Sequence, residues 1–188
     1  MKRFFNVAII ILVSSLIIYS QPDVKSSIEY YEIYGSTLNE LQREIQKKGP
    51  REGGRRFDAY TTWRVGWEFK TISSNNKCTL KNVIVITEIK IVMPKWINYS
   101  SAKKEVQQIW DKYYKALLDH ENGHKEIGLK AAAEIEKEIK KIKPKSSCAE
   151  LERDINRNGD YVIAKYDSLE KEYDRKTNHG INAGAALK

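Results

Sequence analysis

The stretch Ser101–Ile142, SAKKEVQQIWDKYYKALLDHENGHKEIGLKAAAEIEKEIKKI, sets the reading of the whole chain. Its apolar positions Val106, Trp110, Tyr113, Leu117, Ile127, Ala131, Ile135 and Ile142 recur at helical spacing, and His120 and His124 fall in the same stripe. At 100° per residue these positions stay within a band about 100° wide, so the spacing predicts one long helix whose inward face carries two imidazoles.

Two histidines at i and i+4 place both rings on one helix face, close enough to bind one zinc ion. In HENGH, Glu121 directly follows the first histidine. There it sits on the flank of the site, where it would act as general base toward a zinc-activated water. The plainer reading is a pair of core histidines that only hydrogen-bond. Against it stand the scarcity of histidine, three in the chain with two of them here, and the cost of burying unpaired imidazoles on an apolar face.

A catalytic zinc needs a third protein ligand and an open position. His179, in the segment YDRKTNHG, is the one remaining histidine and the first choice. The longer continuation found in metzincins is absent, because Ile127 and Lys130 stand where Gly and His would be required. If a second long helix returns antiparallel, a rise of about 27 Å from His124 to Ile142 brings residues near Tyr166 level with the metal. Asp167 and Glu170 are therefore rival third ligands. Tyr173 would donate a hydrogen bond to a developing oxyanion, or simply continue the apolar stripe. Asp174 would orient a ligating histidine from behind, or stand exposed at the helix end.

The second helix is read from CAELERDINRNGDYVIAKYDSLEKEYD, with Leu151, Ile155, Val162, Tyr166, Leu169 and Tyr173 as its stripe. Gly159 lies off that stripe and is expected to weaken the helix without ending it. Residues 181–188, rich in Gly and Ala, read as a flexible tail. Upstream, AYTTWRVGWEFK alternates, with Thr61, Trp63, Val65, Trp67 and Phe69 on one side, and predicts a half-buried strand. CTLKNVIVITEIKIVMP predicts a longer strand with Val83, Val85, Ile89, Ile91 and Met93 inward, ended by Pro94 and paired antiparallel with the first. SIEYYEIYG reads as a further strand and STLNELQREIQKKGP as a short amphipathic helix, with Thr37 and Glu40 spaced as a capping box. REGGRR reads as a turn or mobile loop.

The chain opens with MKRFFNVAIIILVSSLIIYSQ, a basic start followed by an apolar run, which reads as a signal peptide over residues 1–20. Its run is short of the roughly 20 residues that cross a bilayer. Removing it takes away Lys2 and Arg3 and no acid, so a formal net charge of +8 becomes +6. The remaining charges alternate in sign along helical stretches such as EIEKEIKKIKPK, the pattern of a solvated face and not of a nucleic-acid surface. Peripheral association with an anionic cell envelope is compatible with this balance. Residues 21–180 suit one domain, expected to be monomeric. In an exported chain the isolated pair Cys78 and Cys148 is most simply a disulfide.

TTWRVGW, VMPKW, HENGHKEIG, the cysteine of SSCAEL and the closing YDRKTNHG, taken together and in this order, resemble a bacterial domain-of-unknown-function family (number 922) of predicted secreted zinc-dependent proteases. The resemblance runs from the Trp63 strand to Gly180. It implies a secreted metallohydrolase in which His120, Glu121 and His124 match the zinc motif and His179 matches the histidine of the closing motif.

The expectation is thus a small α+β domain, an antiparallel sheet packed on two long helices, resembling a minimal zincin. It would hold one zinc ion and hydrolyse peptide or related amide bonds of a peptide or protein substrate, presented along the sheet edge. The alternatives are a noncatalytic envelope-associated binding module with structural zinc and an amidase acting on cell-wall peptides.

Overall fold

The computed structural model describes residues 23–188; the expected signal peptide lies outside them. The order of elements is β1 (Asp23–Ile33), α1 (Leu38–Lys48), β2 (Arg51–Glu52), β3 (Arg55–Arg56), β4 (Tyr60–Ser74), β5 (Lys77–Trp96), α2 (Lys104–Lys140) and α3 (Cys148–Thr177). No helix among the described residues is long and apolar enough to cross a membrane.

The long helices are where the apolar period places them. Contacts between them run in opposite senses, Glu134 with Lys165 and Tyr166, His124 with Glu170, and His120 with Tyr173 and Asp174, so α2 and α3 are antiparallel. Ser147 caps α3, its hydroxyl accepting from the Glu150 amide at 3.2 Å. The residues level with His124 lie about one turn further along α3 than Tyr166.

β4 and β5 form the expected antiparallel hairpin, turned tightly at Asn75 and Asn76, both with positive φ (49° and 56°). β5 does not end at Pro94 but runs to Trp96. Its pairing with β4 stops at Val92, so Pro94 sits where only β1 flanks the strand and a missing N–H is tolerated. The sheet is also not antiparallel throughout. Its order is β1-β5-β4, and β1 pairs with β5 in parallel, Asp23 with Ile86 through Ile33 with Trp96. Between β1 and β5 the chain passes through α1 and then down β4, so β5 runs back in the direction of β1. The result is a mixed three-stranded sheet with three helices. The REGGRR segment makes its own two-stranded hairpin, β2 with β3, turning through Gly53 and Gly54 at positive φ.

One face of the sheet packs on the helices through two tryptophans of β4. A Cβ on Gly128 of α2 would meet the Trp63 ring at 2.7 Å, and one on Gly159 of α3 would meet the Trp67 ring at 2.4 Å. Gly159 is therefore inside the buried stripe of α3, with Leu151, Ile155, Val162 and Tyr166, and not off it; Leu169 is the position that faces solvent. The glycine is there because the helix must lie against an indole.

Two apolar cores result. One gathers Ile33, Leu41, Ile45, Ile89, Ile91, Met93, Trp96, Trp110, Tyr113 and Leu117. The other gathers Val83, Val85, Ala131, Ala132, Ile135, Ile139, Leu151, Ile155 and Val162, and the Cys78–Cys148 disulfide closes its far end. Each fully buried Leu, Ile or Val side chain contributes roughly 1.5–3 kcal/mol by leaving water. Between the cores runs a buried polar seam of Thr87, His120, Glu121 and His124. The tail is seated, not free. Ala185 and Leu187 are buried in the first core, and the Gln42 amide donates to the Leu187 carbonyl. Two apolar side chains and one hydrogen bond oppose the entropy that its Gly- and Ala-rich composition suggested.

Candidate metal centre

α2 continues without a break through HENGH, so its i, i+4 spacing is realised in space. The His120 and His124 rings stand nearly perpendicular (83°) at 4.7 Å between centroids, with their Nε2 atoms 3.1 Å apart. Tyr173 of α3 holds both: it stacks on His120 at 5.1 Å and 11°, and meets His124 edge-on at 4.9 Å. Its hydroxyl donates to the His120 carbonyl at 3.3 Å. The approach depends on the glycine in the middle of HENGH, because a Cβ on Gly123 would lie 2.1 Å from the Tyr173 oxygen.

Asp174 brings a carboxylate to the same point. Its Oδ1 is 3.0 Å from Nε2 of His124 and 3.3 Å from Nε2 of His120. Ligand atoms from His120, His124 and Asp174 all lie within 4.8 Å of one another and could hold one metal ion. Asp174 Oδ1 and His124 Nδ1 are buried without a hydrogen bond of acceptable geometry. A buried carboxylate oxygen aimed between two imidazole nitrogens is costly unless a positive charge, a protonated imidazole or a metal ion, lies among them. Two imidazoles and a carboxylate are also a donor set that suits zinc. The residues therefore fit a divalent metal.

The electrostatics point the same way. Burial alone would depress the His124 imidazole, but Asp174 and Glu170 outweigh it and push its pKa up to about 10. Burial also raises the Asp174 carboxyl, yet His120, His124 and His179 together hold it well below the usual carboxylate range. The site attracts positive charge.

Glu121 lies on the flank of the pair, buried, accepting from the Thr61 hydroxyl at 2.7 Å. Burial raises its carboxyl above the ordinary value, against the pull of Thr61 and the two histidines. Glu170 stands behind His124: its Oε1 is 2.8 Å from the ring Nδ1, and its Oε2 accepts from the Trp63 indole N–H at 2.9 Å. The expected weights of the acidic residues are thus redistributed. Asp174, read as an orienting residue, touches the Nε2 atoms, while Glu170, read as a rival ligand, contacts a histidine from its far side. Asp167 lines the cavity in front without entering the cluster.

His179 is half-exposed and reaches the cluster through Asp174, with Nδ1 3.3 Å from Oδ2. Asn178 and His179 both adopt positive φ (50° each), and the His179 amide donates to the Asp174 carbonyl at 3.0 Å, ending α3 and setting the histidine beside the site. The Phe57 ring lies 5.8 Å from it.

Alternation sets Thr61 and Trp63 on one side of their strand and gives them no part in the site. The signal lay in a polar Thr61 on an otherwise apolar face. Thr177, whose hydroxyl lies 3.5 Å from Nδ1 of His120, gave no such signal.

The cluster forms the floor of a cavity of about 750 Å³, walled by the β2–β3 hairpin, the start of β4 and the end of α3. Fold and site together define an α+β domain that carries a histidine–carboxylate cluster on two antiparallel helices. Residues 28–180 match the model of the family described as bacterial protein of unknown function (DUF922), and the chain belongs to that family. No curated protein and no solved structure matches it.

Proposed function

We propose that the protein is an exported, minimal zincin-like hydrolase of peptide bonds, with one zinc ion held by His120, His124 and Asp174. The observation that carries this reading is the buried Asp174 oxygen, without a hydrogen bond, facing two imidazole nitrogens beside Glu121 at the floor of an open cavity. Bound there, zinc would supply Lewis acidity toward a carbonyl oxygen and toward water.

The chain's own residues do the rest. Glu121, held by Thr61 and raised by burial, takes the proton of the attacking water and returns it to the departing amine. Glu170 and Trp63 fix the tilt of the His124 ring. His179, through Asp174, sets the carboxylate that faces both histidines and stands at the cavity wall, where a polarised carbonyl oxygen would find an N–H donor. β4 is an edge strand along this cavity, so an extended peptide would pair with it by strand addition. The Cys78–Cys148 disulfide supports export, since such bonds persist in oxidising compartments.

Metal content by elemental mass spectrometry tests the ligand set. One zinc per chain is expected in the wild type and in Glu121→Gln, with loss in His120→Ala and Asp174→Ala. Glu121→Gln should keep zinc yet lose peptide hydrolysis. Zinc retained without any hydrolysis by the wild type would favour a structural site in a binding module, and no zinc after reconstitution would remove the metal reading altogether.

A further inference from the structure

The sheet has two edges, and they differ. β4 borders the cavity with its first residues and is bulged between Lys70 and Thr71 in its far half. β1, at the other edge, holds no glycine, proline or bulge: its 11 residues, DVKSSIEYYEI, run in unbroken register along β5, and every residue from Asp23 to Tyr30 is exposed. No described strand pairs with its outer side. The free stretch has a defined end, because the Glu32 carbonyl accepts from Lys48 and Ile33 is buried. From Asp23 to Tyr31 the outward N–H and C=O groups are a template for another strand.

Both faces of β1 add to this. Val24, Ile28 and Tyr30 are in register with Thr87, Ile91 and Met93, which face the helices, yet they stay 40%, 44% and 52% exposed. α2 lies over β4 and β5 and leaves them largely uncovered. Tyr114 of α2 stands beside Tyr30, and burial together with that neighbour pushes its pKa up to about 12. On the opposite face the charges alternate. Glu29 accepts Lys90 of β5 at 2.6 Å, and Lys25 is in register with Glu88, which is itself in register with Arg64 of β4.

We propose that the outer edge of β1 pairs with the same edge of a second copy, antiparallel about a two-fold axis at Ser27, in place of the monomer expected from the sequence. Ser27 is the midpoint of the free stretch. Centred there, Lys25 of each copy stands opposite Glu29 of the other, Val24 opposite Tyr30, and Ser26 opposite Ile28. The helix-side row is then largely apolar, and the alternation of charge runs on across both sheets. Centring on Ser26 sets Asp23 against Glu29, and centring on Ile28 sets Val24 against Glu32, so the neighbouring registers lose this match. Two three-stranded sheets become one of six strands, and the β4 edges with their cavities stay open at its two ends. The pairing uses no residue of the histidine cluster.

Sedimentation velocity on the protein purified after export reads the mass, and that of two chains is expected in the micromolar range. Lys25→Glu and Glu29→Lys each oppose like charges in both pairs of the joint, and each is expected to weaken the dimer about tenfold or more. Mixed in equal amounts, the two variants regain opposite charges in every pair and should associate about as tightly as the wild type; a folding defect would not be cured by mixing. Ser27→Cys should cross-link two chains on air oxidation, since Cys78 and Cys148 are bridged to each other, whereas Ser168→Cys on α3 should not. A single-chain mass throughout would overturn the proposal, and so would a dimer that neither charge variant weakens and Ser27→Cys does not cross-link. β1 amides protected from hydrogen exchange in a protein of single-chain mass would assign the edge to another segment of the same chain, which also overturns it.

Discussion

Gly123 shows how one residue without a side chain shapes the site. Its hydrogen faces the Tyr173 ring, whose nearest atoms would lie 2.1 and 2.4 Å from an added Cβ, too close for any side chain to share the space. Gly123→Ala would drive Tyr173 off the two imidazoles. It is expected to cost about 1–3 kcal/mol in denaturant unfolding, the usual range for overpacking, in spite of alanine's better helix propensity. Tyr173→Ala in the same chain should restore part of that stability, because it removes the ring that clashes. A Gly123→Ala protein as stable as the wild type would mean that the stacked ring does not hold the pair. Glycine in the second variable position of HENGH was visible in the sequence, but its reason was not: that reason is a residue fifty positions away, on another helix.

At the scale of elements, the helical stripe and the alternating strands were legible because each is a local period enforced by one buried face. His120, Glu121 and His124 came with the stripe. What escaped depends on how elements meet. The parallel pairing of β1 needs the whole path through α1 and β4. The level of Asp174 against His124 depends on how far α3 is shifted along α2 when they pack, and the depth of Gly159 depends on the indole above it. The same interlocking gives Trp63 two tasks: its ring lies over Gly128, and its N–H holds Glu170 against His124. Trp63→Phe keeps most of the ring and removes the donor. Under the proposed zinc site it should weaken zinc affinity by about tenfold or more, the cost typical of losing an outer hydrogen bond. Competition with a chromophoric chelator would measure this, and unchanged affinity would leave Trp63 a packing residue alone.

For the whole molecule, the two apolar cores are joined across the polar seam by α2 and β5 and are tied at one end by Cys78–Cys148. The bridge spans 70 residues of sequence. In the chain-entropy model a loop of that length is restrained at a gain of about 4 kcal/mol. Reduction, or Cys78→Ser/Cys148→Ser, should lower the unfolding free energy by an amount of that order. Because the bond lies in the second core and the histidines lie beyond it, the loss should appear as stability and not as altered zinc stoichiometry. Equal unfolding curves with and without reductant would show that the unfolded chain gains no freedom from the cut.

The seated tail gives the site a second anchorage. The His179 loop is held at one side by the end of α3 and at the other by Ala185 and Leu187, which lie in the first core against α1 and α2. It is therefore a strap buckled at both ends and not the fraying end of a helix. Residues that touch no part of the cluster set the tension under which His179 leans on Asp174, and anything fused or trimmed at Lys188 acts on that buckle from outside.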